Sequence, residues 1–195
     1  MKLYDITQEV FSCKVFPGDP APQRQVLSDM GQGSLYNLTA FSMCAHNGTH
    51  IDAPFHFLKD GKTVEQMGLE PFVGDCFVAR HEGLVTGENA KEILRKADGT
   101  PRLLIAGPAT VTAEAASVFS DAGLLLLGNE SQTVGPEDAP MQVHLILLGA
   151  GMALLEGVVL TGVPEGKYLL SAAPMKLAGS DGAPCRAVLI GEDTE

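Results

Sequence analysis

Three of the chain's five histidines and one aspartate fall within the segment His46-Asn47-Gly48-Thr49-His50-Ile51-Asp52-Ala53-Pro54-Phe55-His56. The four groups His46, His50, Asp52 and His56 all occupy even positions. In extended backbone alternate side chains share a face, so a strand here gathers imidazole and carboxylate on one side. Those are the donors that zinc and related divalent cations take. Burying four such groups without partners would be costly, so the segment points to a metal site.

The segment cannot be straight. Ten residue steps of roughly 3.3 Å would spread the donors over about 33 Å, far beyond one centre whose ligand bonds are about 2 Å. A helix would place His46 and His50 four residues apart on one side, but Gly48, Thr49 and Ile51 weaken it and Pro54 interrupts it. The chain is therefore expected to bend at Gly48 and Pro54, leaving His50 and Asp52 side by side and folding His46 back toward them.

Two residues of the second half extend this inventory. His144 sits in the apolar run Val143-His144-Leu145-Ile146-Leu147-Leu148, and Glu156 ends the run Met152-Ala153-Leu154-Leu155. Alone, the first reads equally as a packed core histidine and the second as a charge that ends a strand. A glutamate at a strand's carboxyl end also lies where α/β folds build their sites. Together with the first cluster they make two carboxylates and several imidazoles, an inventory suited to two divalent ions.

The elements that must position these groups read as a mixed α/β chain. Strands are expected over residues 2–10, 36–44 (leading into the histidine segment), 75–80, 102–106, 123–128, 152–155, 168–173 and 186–190, with a turn at Phe16-Pro17-Gly18-Asp19-Pro20. Helices are expected over 88–97, where Ala90, Ile93, Leu94 and Ala97 share a face, from Thr112 to about residue 122, and over 140–148. Early strands followed by strand–helix–strand units imply an α/β fold with a mixed central sheet. The 195 residues fit one domain, 1–195, and 45% apolar with 19% charged residues describe a soluble globule.

A net charge of −11 argues against nucleic acid or an anionic membrane as partner. The longest nearly apolar run, 145–155, is broken by two glycines and is short of the about 20 residues a membrane span needs. The N-terminus lacks the apolar core of a signal peptide. Cys13, Cys44, Cys76 and Cys185 are scattered with no C-x-x-C pair, as in a cytoplasmic protein with reduced thiols. The expected partner is a small-molecule substrate.

The segment from His46 to His56 matches the H-x-G-T-H-x-D-x-P-x-H signature of the cyclase-like metal-dependent hydrolases. That family includes kynurenine formamidase (arylformamidase), and the chain is similar to isatin hydrolase as well. The resemblance also runs through Phe16-Pro17-Gly18-Asp19, Gly74-Asp75-Cys76, the pair His144 and Glu156, and Leu177-Ala178-Gly179-Ser180-Asp181-Gly182-Ala183-Pro184. It implies a swivelling β/β/α domain, assembled as a homodimer or homotetramer with the site near a subunit interface. It implies a first metal on His46, His50 and Asp52, and a second on Asp52, Glu156 and His144. Two Zn(2+) per subunit are implied, with Mn(2+) as a substitute. His56 matches the family's proton-transfer histidine. Phe16 falls at the aromatic substrate position, where formamidases carry a tryptophan that this chain lacks. Around Gly128-Asn129-Glu130-Ser131-Gln132-Thr133 the chain also departs from the formamidase pattern.

The chemistry that follows is hydrolysis of a small amide or cyclic amide, such as N-formylkynurenine to kynurenine plus formate, by metal-activated hydroxide. His56 would shuttle the proton, and Phe16 and Phe55 would wall an aryl group. Two rivals share the inventory. A mononuclear non-haem iron oxygenase could use His50, Asp52 and His144 as a facial triad, which leaves His46 and Glu156 idle. A purely structural metal site would be closed and rich in cysteine. The run Gly149-Ala150-Gly151 is not a dinucleotide fingerprint, since Leu154 stands where glycine or alanine belongs.

Overall fold

A computed structural model describes residues 1–192. Strands β1 (Lys2–Asp5), β2 (Gln23–Ser28), β3 (Leu38–Ser42), β4 (His50–Asp52), β5 (Val73–Arg80) and β6 (Gly83–Val85) precede the first helix, α1 (Gly87–Ala97). There follow β7 (Arg102–Ala106), β8 (Ala109–Val111), α2 (Ala113–Asp121), β9 (Leu126–Asn129), α3 (Met141–Gly149) and β10 (Ala153–Glu156). The order ends with β11 (Gly166–Ser171), β12 (Gly182–Pro184) and β13 (Val188–Gly191).

Nine strands form one mixed sheet in the order β1-β13-β11-β5-β7-β9-β10-β4-β12. Its middle, β5-β7-β9-β10, is parallel, and β4, β12, β11, β13 and β1 pair antiparallel at the flanks. β7 is buried at every residue, which explains why it reads as a nearly continuous apolar run: a parallel strand is covered on both faces. Its side chains still alternate. Leu103 and Ile105 pack with Ile93, Phe119 and Leu147 on the side of the three helices, while Leu104 packs with Ile6, Ile51 and Phe72 on the other. The helices start where side-chain caps allow. Thr86 and Asn89 cap α1 reciprocally, and the Thr112 hydroxyl accepts the Ala115 amide at the start of α2.

The mixed α/β class and central mixed sheet are as expected; two expected strands differ in extent or pairing, and β2, β6 and β8 were not expected. β1 is shorter than 2–10 because the Thr7 and Gln8 amides bond to the side chains of Asp5 and Thr49 rather than to a neighbouring strand, and Glu9 then caps a 3₁₀ turn. Residues 38–42 do not lead straight into the histidine segment but pair with β2 in a separate two-stranded ribbon. β2, Gln23-Arg24-Gln25-Val26-Leu27-Ser28, carries no alternating apolar pattern because it is almost wholly exposed. A second small pair, β6 with β8, is parallel.

Candidate metal centre

Only His50, Ile51 and Asp52 of the histidine segment are strand. Gly48 adopts φ +64°, a conformation that favours glycine, and Pro54 begins a 3₁₀ turn that ends at His56. The expected bends at Gly48 and Pro54 are thus present. The even-numbered register holds for His50 and Asp52 alone, and His46 and His56 reach the same place through turns. β4 lies between β10 and β12, with Glu156 and Pro184 opposite His50, and Leu154 and Gly182 opposite Asp52. Directly opposed residues share a face, so the sheet sets the Glu156 carboxylate beside the His50 ring.

Backbone carbonyls orient two of the rings. His50 Nδ1 donates to Gly48 O at 3.0 Å and His144 Nδ1 to Pro140 O at 2.9 Å. Each therefore turns Nε2 to the carboxylates, the arrangement that second-shell carbonyls impose on metal-binding histidines. His50 Nε2 lies 3.3 Å from Asp52 Oδ1 and 3.6 Å from Glu156 Oε2. His144 Nε2 lies 3.2 Å from Glu156 Oε1 and 3.5 Å from Asp52 Oδ2. On the outer side His46 Nδ1 is 2.8 Å from Asp52 Oδ1, and the His46 and His56 rings stack with centroids 4.1 Å apart. Two donor groups result, His46/Asp52/His56 and His50/Asp52/Glu156, each with ligand atoms within 4.8 Å of one another. Asp52 belongs to both.

His50, Asp52, His144 and Glu156 are all buried. Burial alone would lower the His50 and His144 pKa values, but contact with Asp52 and Glu156 more than offsets it and lifts both to about 10. Burial likewise opposes charge on Asp52, yet the His144, His46 and His50 rings around it hold its carboxyl well below the usual range. Asp52 Oδ2 makes no hydrogen bond among the described residues. An acceptor without a donor, two buried carboxylates and protons drawn onto neighbouring imidazoles are what a divalent cation would satisfy or replace. The residues present fit such an ion.

The centre forms one wall of a cavity of about 250 Å³, completed by Phe16, Asp19, Phe57, Gln132, Thr133 and Pro140. A larger, shallower hollow of about 1020 Å³ runs along Tyr4, Asp98 and Tyr168 and holds none of these donors. All the site residues expected from the sequence, His46, His50, Asp52, His56, His144, Glu156 and Phe16, meet at or beside the smaller cavity. Phe55 does not: it is 39% exposed, because consecutive residues of a 3₁₀ turn point about 120° apart. Phe57 takes that place, tilted against His144 with ring centroids 4.7 Å apart. Spacing alone also missed Asp181 and Gln132. Asp181 Oδ2 contacts both His46 and His56, and Gln132 Nε2 donates to Gly48 O at 2.9 Å. Their sequence distance hides them, although both lie in stretches already compared with the family pattern.

The family model described as "Putative cyclase" matches residues 4–103. A kynurenine formamidase of Salinibacter ruber is 33% identical over 210 residues, spanning 97% of this chain and 97% of that protein. One from Erythrobacter litoralis is 31% identical over 202 residues, spanning 96% and 93%. A solved "Potential Metal-Dependent Hydrolase With Cyclase Activity" superposes with a TM-score of 0.84 at 27% identity over 99% of both chains. Isatin hydrolase A from Labrenzia aggregata superposes with a TM-score of 0.84 at 21% identity, over 98% of this chain and 94% of that one, which is a likeness of fold.

Proposed function

The chain belongs to the cyclase family and is a metal-dependent hydrolase of carbon–nitrogen bonds other than peptide bonds, and from that premise we propose that it hydrolyses a small aryl amide of the N-formylkynurenine type to the free arylamine and formate. One observation carries this reading. Two groups of imidazole and carboxylate donors share Asp52 on the wall of a small cavity whose other walls include Phe16 and Phe57. We assign two divalent cations, zinc with manganese as a substitute, to His46, His50, Asp52, His144 and Glu156, with the carboxylates able to bridge. The relatives named kynurenine formamidase support an arylformamide as substrate.

A divalent cation in such a site supplies Lewis acidity, lowering the pKa of a bound water to about 7 and drawing charge from a carbonyl oxygen. The chain's own residues do the rest. Gly48 O and Pro140 O hold the His50 and His144 rings in place through their Nδ1–H groups. His56 contacts neither Glu156 nor Asp52 by hydrogen bond; its Nδ1 is tied to Asp181 at 3.0 Å. Its Nε2 is thus the nitrogen left to take a proton from the attacking water and return it to the departing nitrogen. Phe16 and Phe57 flank the aryl ring and keep bulk water from it.

A cyclic amide of the isatin type is a second candidate substrate, favoured by the cavity of about 250 Å³, which is below the roughly 300–1,000 Å³ of pockets for drug-sized ligands. Zinc- and manganese-loaded protein assayed against N-formylkynurenine, formanilide and isatin decides between them, with metal content counted in parallel. Two cations per chain and release of formate from the formylated arylamines are expected. Failure to retain a cation, or no turnover of any of the three, ends the proposal.

We also read residues 1–195 as one domain that works as a homodimer or homotetramer in the cytoplasm. The β2–β3 ribbon supports self-association: Val26, Leu27, Met30, Tyr36 and Phe41 are each more than half exposed on it or its connection. The four cysteines are free. Among the described residues no helix is long and apolar enough to cross a membrane.

A further inference from the structure

Asp181 lies just before β12, and its carbonyl accepts the amide of Ala53, one residue past β4. Its backbone is therefore pinned to the segment that carries the histidines. The carboxylate places one oxygen, Oδ2, 2.9 Å from His46 Nε2 and 3.0 Å from His56 Nδ1. An ionised carboxylate only accepts hydrogen bonds, so each of those nitrogens carries its hydrogen toward Asp181. The other nitrogen of each ring is fixed as a consequence.

For His56 the other nitrogen is Nε2, left with its lone pair. For His46 it is Nδ1, which faces Asp52 Oδ1 at 2.8 Å. Lone pair would then oppose lone pair unless a proton or a cation sits between them. The His46 ring is held between two neighbours. A Cβ on Gly182 would meet His46 Cε1 at 2.7 Å and Ile51 O at 2.7 Å, so the ring rests directly on the backbone of β12. Its other side is stacked on His56.

We propose that Asp181 is a positioning residue of this centre, one carboxylate oxygen setting the orientation and tautomer of His46 and His56 together. It aims His46 Nδ1 at the cation beside Asp52 and frees His56 Nε2 for proton transfer. Because both rings hang from one atom, a shift of Asp181 disturbs cation binding and proton transfer in a single step. The two hydrogen bonds stand without the hydrolase reading; what the freed nitrogens do rests on it.

Asp181→Ala tests this. Alanine removes the one oxygen to which both rings donate, whereas the amide oxygen of an asparagine, with two lone pairs, could still accept from both. Nitrogen-15 NMR of the histidine side chains in metal-free protein should show neutral His56 as the Nδ1–H tautomer in the parent and a different or mixed tautomer in Asp181→Ala. Zinc affinity, read by chelator competition, should fall about 10–100-fold, the usual effect of losing a hydrogen-bond partner behind a metal-binding histidine. If the alanine variant does not fold, Asp181→Leu, closer in volume and equally without an acceptor, serves, with the same loss of the single tautomer expected. An unchanged His56 tautomer together with zinc affinity within about twofold of the parent overturns the proposal. Should the parent bind no zinc, the hydrolase reading fails, and the tautomer measurement still decides the role of Asp181.

Discussion

Loading the centre with a cation should expel protons, and their number follows from its geometry. His50 and His144 both turn Nε2 to Asp52 and Glu156, and without a cation both imidazoles are lifted to about 10. At pH 8, two units lower, about 99% of each ring holds its proton. A cation needs the neutral lone pair of each Nε2, so its uptake at that pH should release about two protons, with a further contribution from His46, also raised. Over pH 7 to 9 the apparent affinity should climb by up to about a hundredfold per pH unit, tenfold for each proton displaced. Titration calorimetry in buffers of different ionisation enthalpy gives the proton count as a slope. A slope of zero would refute the reasoning, since the imidazoles would then already be neutral among the carboxylates. The same shift acts on stability with a definite sign. A histidine whose folded pKa exceeds its unfolded value of about 6.5 stabilises fully below that value and loses the contribution as pH rises toward about 10. Metal-free protein should therefore lose up to about 1.4 kcal/mol of stability per pH unit for each group between pH 7 and pH 9, and melt at a lower temperature at the higher pH. Zinc-loaded protein should lack that decline.

His56→Ala should keep its metal by elemental analysis and lose about 10²–10⁴-fold in kcat; loss of the metal would show that His56 is a ligand instead. Glu156→Gln keeps an acceptor for the Val134 amide, now 2.8 Å from Oε1, but removes a charge, so the chain should fold and retain less zinc after dialysis. Unchanged zinc stoichiometry would take Glu156 out of the centre. Gly182→Ala sets a Cβ against His46 and the immovable Ile51 carbonyl; a cost of about 1–3 kcal/mol is expected from the overpacking, with weaker zinc binding as His46 is displaced. Parental melting temperature and zinc affinity would contradict the close approach.

Much of the fold was legible in advance because its elements carry strong local patterns. α1 shows an apolar face of Ala90, Ile93, Leu94 and Ala97, and β7 is a short apolar run. β2, β6, β8 and β12 were not, for a common reason: they are short or exposed strands held by partners rather than by their own periodicity. Phe57 rather than Phe55 lines the cavity because the 3₁₀ turn over Pro54–His56 leaves Phe55 facing outward.

The residue types and their spacing determined that imidazole and carboxylate would concentrate near position 50, that Gly48 and Pro54 would bend the chain there, and that the chemistry would be that of a divalent cation. Those are local properties, set by side-chain donors and backbone preference over a few residues. Which distant groups join them was decided by the sheet. The antiparallel pairing of β4 with β10 and β12 brings Glu156 beside His50 and the start of β12 beside His46, and α3 delivers His144 from the helical layer. Register between strands depends on hydrogen bonds between segments about a hundred residues or more apart, which no window of sequence contains.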